Sequence, residues 1–282
     1  MANDVGMNRR DTYLFDARSD LDERVFSSAA PGSLRLSEER IVEQFKRRVD
    51  EIDWSVPQFI YVNVQAAHFP YSHPKMQRRI TDSPIPRSEI APENHEWLAK
   101  TYWNAIASAD WAVGEMVAYL KAKQVYDHTV LAILGDHGES LFDDEFLGYG
   151  HALNETQTRI PLMFNQPGLR LAQAIGQSEV GEIAIRAALG LESTIGFTNK
   201  RHGVFQLVGS LSHPQLIGLV QYGERRTVLD LRIRKIYFSD LQRWIEFDAV
   251  NEDPELGRRV RLLVEQWERL RWQNHIATFR PH

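Results

Sequence analysis

A long helical pattern followed at once by an apolar run is the feature that most constrains the fold. Residues 93–123 repeat apolar side chains at helical spacing, and residues 129–134 then read Thr-Val-Leu-Ala-Ile-Leu without a charged position. An amphipathic helix covers one face of a sheet, and a strand that is apolar on both sides needs cover on both faces. The pattern predicts an α/β fold, in which a mixed, mostly parallel sheet is flanked by helices.

Other segments of the first two thirds of the chain fit the same plan. Residues 37–52 predict an amphipathic helix capped by Ser37, because apolar residues recur every four positions. Residues 58–65 are rich in β-branched and aromatic side chains and predict a strand. Residues 178–189 predict a helix that ends at a glycine.

The pattern changes near residue 203, where short strand-like runs alternate with turn residues. The predicted strands are residues 204–208, 216–222, 227–231, 235–238 and 244–247. A final helix is predicted from residue 254 to residue 272. We therefore expect two parts: a partial α/β core in residues 1–195, and a smaller antiparallel sheet with a closing helix in residues 196–282.

Composition narrows the classes of function. The 282 residues carry a net charge of −5, so no basic surface suggests a general nucleic-acid or anionic-membrane binder. The absence of cysteine excludes disulfides, thiolate metal sites and a cysteine nucleophile, which leaves ten histidines as the main soft ligands and proton carriers. No apolar run reaches the roughly 20 residues that span a bilayer, and the polar residues 1–20 do not resemble a signal peptide.

The segment Gly135-Asp-His-Gly138 is the first candidate site. Asp136 and His137 directly follow an apolar strand, and ligands of open α/β sheets gather beyond the carboxyl ends of strands. A carboxylate and an imidazole placed there can share one divalent metal ion, while Gly138 permits a tight bend. An ordinary turn, with Asp136 as a cap and His137 in solvent, accounts for these residues equally well.

Two more histidines occupy similar positions. His68 follows the predicted strand 58–65, and His151 follows the acidic loop after Asp136. Three histidines and one aspartate that all follow apolar strands predict a shared site at one edge of the sheet, although a single histidine is more often a surface residue. Arg159 is a candidate for binding an anionic substrate group, since a guanidinium suits sulfate or phosphate; a structural ion pair is the alternative.

Several of these segments together resemble successive landmarks of the sulfatase family, within the alkaline-phosphatase-like enzymes. In chain order they are His68-Phe-Pro-Tyr71, Asp110-Trp-Ala-Val-Gly114, Asp136-His-Gly-Glu139, Gly150-His151 with Arg159-Ile-Pro-Leu162, and Lys235-Ile-Tyr-Phe238. The resemblance covers roughly residues 57–270. One motif alone is weak, whereas the ordered set is specific.

The resemblance implies a sulfuric ester hydrolase with Asp136 and His137 as metal ligands. His68 and His151 would contact the transferred group or protonate the leaving oxygen. The metal would be calcium, or else zinc, manganese or magnesium, and the substrate a sulfate or phosphate ester. A phosphoethanolamine or glycerolphosphate transferase of the same superfamily remains open, because Asp136-His-Gly-Glu-Ser140 resembles those enzymes as well. Relatives often act in the periplasm or are anchored to a membrane.

The resemblance also indicates which parts to look for upstream of His68. Family members carry acidic ligands and then a nucleophile, a formylglycine in a Cys/Ser-x-Pro-x-Arg motif or, in the transferases, a threonine. No such motif precedes His68; Ser83-Pro-Ile-Pro-Arg87 has its prolines in another register, and the polar segment holding Asp11, Asp16 and Asp20 predicts solvated charges. We therefore expect only the later part of a catalytic domain, with no nucleophile and little turnover alone. The further alternatives are a non-catalytic remnant and one half of a split protein whose partner is the amino-terminal half.

Overall fold

The computed structural model describes residues 38–167, 169–171, 175–191, 194–195, 203–221, 223 and 225–278. The chain divides into two compact units, Met1–Asp127 and His128–His282. The predicted cap Ser37 and the acidic residues Asp11, Asp16 and Asp20 lie outside the described residues. The predicted boundary between residues 195 and 196 stays a prediction.

Two α-helices form the described core of the first unit. Helix α1 is Glu38–Glu51 and helix α2 is His95–Ala122. Buried apolar residues of both helices form one cluster, which includes Phe45 and Val49 from α1 and Met116 from α2. The two helices predicted from apolar periodicity are therefore confirmed, and their apolar stripes face each other as that periodicity requires.

The strand predicted at residues 58–65 is wrong. These residues have no strand assignment, nor has any other described residue of the first unit. Large side chains are exposed here, and Phe59 retains 77% of its accessible surface. β-propensity describes how a side chain fits a pleated surface, whereas a strand also needs a neighbour to complete its hydrogen-bonded ladder. The composition suits a strand, but no described strand pairs with these residues.

Helix α2 also holds the proline-containing loop of residues 71–92. The buried Asn104 Oδ1 accepts hydrogen bonds from the backbone N–H of Arg79 at 2.7 Å and of Ile80 at 2.9 Å. Thr101 Oγ1 accepts a further bond from the N–H of Ile85 at 2.8 Å. Two polar side chains on a buried helix face thus satisfy backbone donors of a loop that has little regular structure of its own.

Short strands and two helices open the second unit. Strand β1 (Ala132–Leu134) pairs antiparallel with β4 (Leu162–Phe164), and β2 (Ser140–Leu141) forms a hairpin with β3 (Leu147–Gly148). Helix α3 is Glu155–Thr158 and helix α4 is Gln177–Ala188. The α/β class is confirmed. A mostly parallel sheet is not seen, because among the described strands only β5 (Arg170–Leu171) and β6 (Thr194–Ile195) pair in parallel.

A five-stranded antiparallel sheet and a closing helix complete this unit. The strands are β7 (Val204–Gly209), β8 (Pro214–Val220), β9 (Arg226–Asp230), β10 (Lys235–Phe238) and β11 (Arg243–Glu246), in the spatial order β11-β10-β9-β8-β7. Helix α5 (Pro254–Thr278) contributes Leu256, Val260 and Leu263 to the core beneath the sheet. Both elements confirm the predicted antiparallel part. None of the described helices is long and apolar enough to cross a membrane.

Candidate metal and substrate site

The turn that leaves β1 presents the predicted metal ligands. The backbone N–H of Gly135 donates to Pro161 O at 3.3 Å, which ties the start of the turn to the strand that returns beside it. From the first turn of α4, Gln177 Nε2 donates to Gly135 O at 3.2 Å and also to Asp136 O. These bonds fix the backbone while the side chain of Asp136 stays 88% exposed.

A backbone hydrogen bond holds the imidazole of His137 in this turn. Its Nδ1 lies 2.9 Å from Gly138 O, and a carbonyl only accepts hydrogen bonds, so Nδ1 is the donor. The other nitrogen, Nε2, lies 3.7 Å from Asp136 Oδ2. A metal-ligating histidine commonly donates its second nitrogen to a backbone carbonyl in this way.

Gly138 is required for a different reason from the one predicted. Its backbone is outside the left-handed region, so no unusual φ demands glycine here. A Cβ atom at this position would lie 1.9 Å from Thr156 O, and the Gly138 N–H donates to Gln157 O at 2.9 Å. Glycine therefore permits the turn to approach the backbone of α3 closely.

The β2–β3 hairpin brings Tyr149 onto His137. The two ring centroids are 3.6 Å apart and the ring planes differ by 24°, which is a stacked arrangement. Glu139, whose side chain is 6% exposed, places its Oε2 3.9 Å from His137 Nδ1. Sequence reasoning missed both residues. The two glycines beside Tyr149 were a visible turn signal, but the stacking partner depends on the hairpin register.

His151 lies at the exit of the same hairpin. Its Nε2 is 3.3 Å from Leu147 O, and its backbone N–H donates to Gln157 Oε1 at 3.1 Å. A Cβ placed on Gly148 would be 3.9 Å from His151 Nε2 and 3.8 Å from Glu139 Oε1. The hairpin therefore brings His151 Nε2 and Glu139 Oε1 close to Gly148. That His151 shares a site with Asp136 and His137 stays a prediction.

A buried polar network supports the hairpin from within. Asp144 accepts hydrogen bonds from Ser140 Oγ and Asn154 Nδ2, and Gln157 Nε2 lies 3.5 Å from the same carboxylate. Partial burial acts to raise the pKa of Asp144, but the hydrogen bonds from Ser140 and Asn154 outweigh it and hold the pKa below its ordinary value. The charge of Asp144 therefore organises the loop rather than a metal.

Arg159 lies on the surface beside this cluster. Its side chain is 69% exposed, and it forms an ion pair with Glu155 at 3.7 Å one helical turn away. Glu155 pairs in addition with the buried Arg226 at 2.7 Å. The guanidinium of Arg159 is accessible, and its role in substrate binding stays a prediction.

His68 belongs to the first unit, where a tight turn holds it. His68 N donates to Gln65 O at 3.1 Å, and Tyr71 N donates to His68 O at 2.9 Å. Tyr71 is fully buried and meets Tyr102 edge to face at 5.3 Å. The imidazole itself is exposed, with Nδ1 3.0 Å from Phe69 O. The predicted convergence of His68 with the histidines of the second unit stays a prediction.

The donor set suits part of a metal site. Asp136 and His137 offer one carboxylate and one imidazole, which are common ligands of divalent cations. Among the described residues, no group of three or more His, Cys, Asp or Glu side chains could hold a metal ion. The pair therefore fits two positions of a coordination sphere that needs further ligands.

The solved structures that resemble the chain include two described as follows. The first, of BT4656 in complex with its substrate D-glucosamine-2-N,6-O-disulfate, is 13% identical with a TM-score of 0.44; the match covers 64% of this chain and 42% of that one. The second, of the candidate sulfatase yidJ from Bacteroides fragilis, is 13% identical with a TM-score of 0.46; it covers 82% of this chain and 51% of that one. The chain thus spans about half the length of these structures or less.

The comparison with family models is more decisive. No curated protein sequence matches the chain. The model of the sulfatase family matches residues 4–181, so the match begins before the resemblance seen from residue 57 and ends before residue 270. It covers more than half of the 282 residues, and the chain belongs to the sulfatase family.

Proposed function

We propose that this chain provides the metal-holding and proton-handling part of a site that hydrolyses sulfate esters. The observation that supports it most directly is the geometry of His137. The hydrogen bond from Nδ1 to Gly138 O directs Nε2 to the side of an exposed carboxylate, 3.7 Å from Asp136 Oδ2. Histidines that bind a metal commonly donate their second nitrogen to a backbone carbonyl in this way.

In the proposal, Asp136 Oδ2 and His137 Nε2 hold a divalent cation, calcium or one of zinc, manganese and magnesium. When bound, such a cation polarises the oxygens of a sulfate ester and activates the attacking group. Gln177 and Gly138 keep the two donors in place, because they fix the backbone on both sides of the pair. A donor pair fixed in advance loses less entropy on binding.

The two histidines outside the pair act on the substrate. The Nε2 of His151 lies 3.3 Å from Leu147 O, which can only accept, so Nε2 is the donor of this hydrogen bond. As an imidazolium, His151 can give a proton to the ester oxygen while the bond from that oxygen to sulfur breaks, and a neutral imidazole remains. His68 and the accessible Arg159 would contact the sulfuryl oxygens.

We further propose that the isolated chain turns over slowly or not at all. The sequence contains no cysteine and no Ser-x-Pro-x-Arg motif, from which the formylglycine of sulfatases is made. A metal pair without an attacking group lacks the step that forms the new bond to sulfur. A non-catalytic protein that only binds a partner is the competing possibility.

Metal binding is the first test. Purified wild-type chain is dialysed against Mn²⁺, Zn²⁺ or Ca²⁺, and bound metal is measured by inductively coupled plasma mass spectrometry beside Asp136→Asn, His137→Gln and the exposed control His128→Gln. Because the pair supplies only two ligands, we expect weak but measurable metal binding in the wild type and the control, and affinity at least about tenfold weaker in the two site variants. Equal binding by all four proteins would refute the metal pair.

Turnover separates the substrate classes. The metal-loaded chain is assayed with 4-nitrophenyl sulfate and with bis(4-nitrophenyl) phosphate. We expect no turnover above the His137→Gln background with either ester. Sulfate hydrolysis that His137→Gln abolishes would show that the chain has its own nucleophile, and hydrolysis of the phosphodiester alone would favour the transferase alternative.

A further inference from the structure

The segment Gly148-Tyr149-Gly150 forms a turn that determines where the side chain of Tyr149 lies. Both glycines adopt left-handed backbone conformations, with φ of 97° and 77°, which other residues reach only with strain. Strand β3 ends at Gly148, and the two left-handed residues on either side of Tyr149 reverse the chain there. The consequence is that the Tyr149 ring folds back over the preceding turn, where it meets His137.

The contact between the two rings restricts how His137 can move. At a centroid distance of 3.6 Å and a tilt of 24°, the tyrosine covers one face of the imidazole. The hydrogen bond from Nδ1 to Gly138 O at 2.9 Å fixes the rotation within the ring plane. Stacking holds the plane of the imidazole ring, and the hydrogen bond holds its Nδ1 edge. Together they fix the direction of Nε2.

We propose that Tyr149 is a positioning residue, whose stacked ring holds His137 with Nε2 directed to the side of Asp136. This inference rests on the proposed metal pair for its purpose, although the orientation of the imidazole can be measured without any metal. Glu139 does not replace this role: its Oε2 is 3.9 Å from His137 Nδ1, too far for a hydrogen bond that Gly138 O already accepts.

The test uses two substitutions with different consequences. Tyr149→Phe keeps the ring and removes only the hydroxyl, so the stacking and the orientation of His137 should persist. Tyr149→Leu keeps an apolar side chain of similar reach but loses the flat face. Thermal unfolding of both variants shows whether the chain still folds, and a loss confined to the leucine variant cannot then be attributed to unfolding.

The primary readout is the tautomer of His137 in the metal-free chain. Long-range ¹⁵N–¹H correlation spectra are recorded at about pH 8, well above the ordinary pKa of imidazole. The signals of His137 are those that disappear from the His137→Gln spectrum. We expect one tautomer with hydrogen on Nδ1 in the wild type and Tyr149→Phe, and averaged nitrogen shifts in Tyr149→Leu. A single unchanged tautomer in Tyr149→Leu overturns the proposal.

Manganese binding, followed by the electron paramagnetic resonance signal of free Mn²⁺, is the second readout. We expect binding about three- to tenfold weaker in Tyr149→Leu and unchanged in Tyr149→Phe. If wild type binds no Mn²⁺ while Tyr149→Leu alters the tautomer, the metal pair fails and the positioning role stands. If Tyr149→Leu binds Mn²⁺ as tightly as wild type with its tautomer unchanged, the positioning role fails and the metal pair stands.

Discussion

Two neighbouring regions of the second unit are stabilised in different ways. The five-stranded sheet and α5 enclose an apolar core that includes the fully buried Ile217, Ile236, Phe238 and Leu263. The site segment, residues 135–159, has few buried apolar residues and depends on hydrogen bonds of buried polar groups such as Ser140 and Gln157. The first region gains its free energy from non-directional burial, and the second gains its geometry from directional contacts.

The sheet contributes stability, and the site segment contributes the geometry of the candidate ligands. Apolar burial of the kind seen in the sheet tolerates small shifts, whereas a metal-ligand pair, the role proposed for Asp136 and His137, needs fixed directions. Hydrogen bonds supply direction but contribute little net free energy, about 0.5–1.5 kcal/mol each. We therefore expect the site segment to depend on the sheet for stability.

A few residues join the site segment to the five-stranded sheet, and polar groups lie at the centre of this contact. Leu153 packs on Leu216 and Val228 of the sheet. Beside it, Arg226 donates to Leu153 O at 3.2 Å and to Thr158 Oγ1 at 3.1 Å, and its side chain is only 7% exposed. Because the buried guanidinium of Arg226 needs these hydrogen-bond partners, it holds the site segment against the sheet.

The largest effect is expected from Phe238→Ala, which removes a fully buried ring from the sheet core. Loss of transfer free energy and the resulting cavity should lower the free energy of unfolding by about 3–5 kcal/mol. Urea unfolding measures this change, and Phe238→Leu is the control that retains most of the volume. Because Leu153 and Arg226 join the regions, amide exchange of residues 135–159 should accelerate as well. Unchanged exchange there would show that the site segment does not depend on the sheet.

A smaller and local effect is expected from Gly138→Ala. The added methyl group would lie 1.9 Å from Thr156 O, so the backbone of the turn or of α3 must move. Strain of this kind costs about 1–3 kcal/mol, and the metal affinity of the Asp136–His137 pair should fall with it. The matched control is Gly181→Ala in α4, where a Cβ meets nothing within 4 Å; it should stabilise the chain by up to about 1 kcal/mol. Thermal unfolding and Mn²⁺ titration of both variants decide whether the turn needs glycine.

The sheet could be predicted from the sequence, because alternation and turn residues are local signals. Residues 235–238 were predicted as a strand and form β10, Lys235–Phe238. The strand expected at residues 58–65 shows the limit of such signals. Its side chains suit a sheet, but a ladder requires a neighbour, which the local sequence cannot reveal.

The sequence predicted the candidate site residues, but it did not predict the neighbouring residues that contact them. Asp136 and His137 were predicted because they directly follow a strand, and their role stays a prediction. The contacts of Tyr149 and Gly138 escaped prediction, since each depends on a partner in a different segment, His137 or Thr156. Contacts across segments follow from the tertiary structure, and a single sequence does not specify them.

The smallest effect is expected from Asp144, whose contribution to the stability of the site segment should depend on pH. Asp144 holds the site segment by accepting bonds from Ser140 and Asn154, and these bonds keep its pKa below the ordinary value against the opposing effect of burial. A carboxylate with a lowered folded-state pKa stabilises the fold at pH above its unfolded-state pKa of about 3.9. This contribution is lost as pH falls through the folded-state pKa, because the native state must then take up the proton.

Asp144→Asn should therefore lower the free energy of unfolding by about 1–2 kcal/mol at pH 7, the range of hydrogen bonds to a charged acceptor reduced for partial exposure. The difference from wild type should shrink as pH falls below about 4. Urea unfolding between pH 3 and pH 7 measures it, with Asp143→Asn as the control. Asp143 is exposed and accepts one bond from Leu141 N at 3.0 Å, so its loss should change stability at pH 7 by less than about 0.5 kcal/mol. A difference between wild type and Asp144→Asn that stays constant over this pH range would show that shape, and not the charge of Asp144, holds the site segment against the sheet.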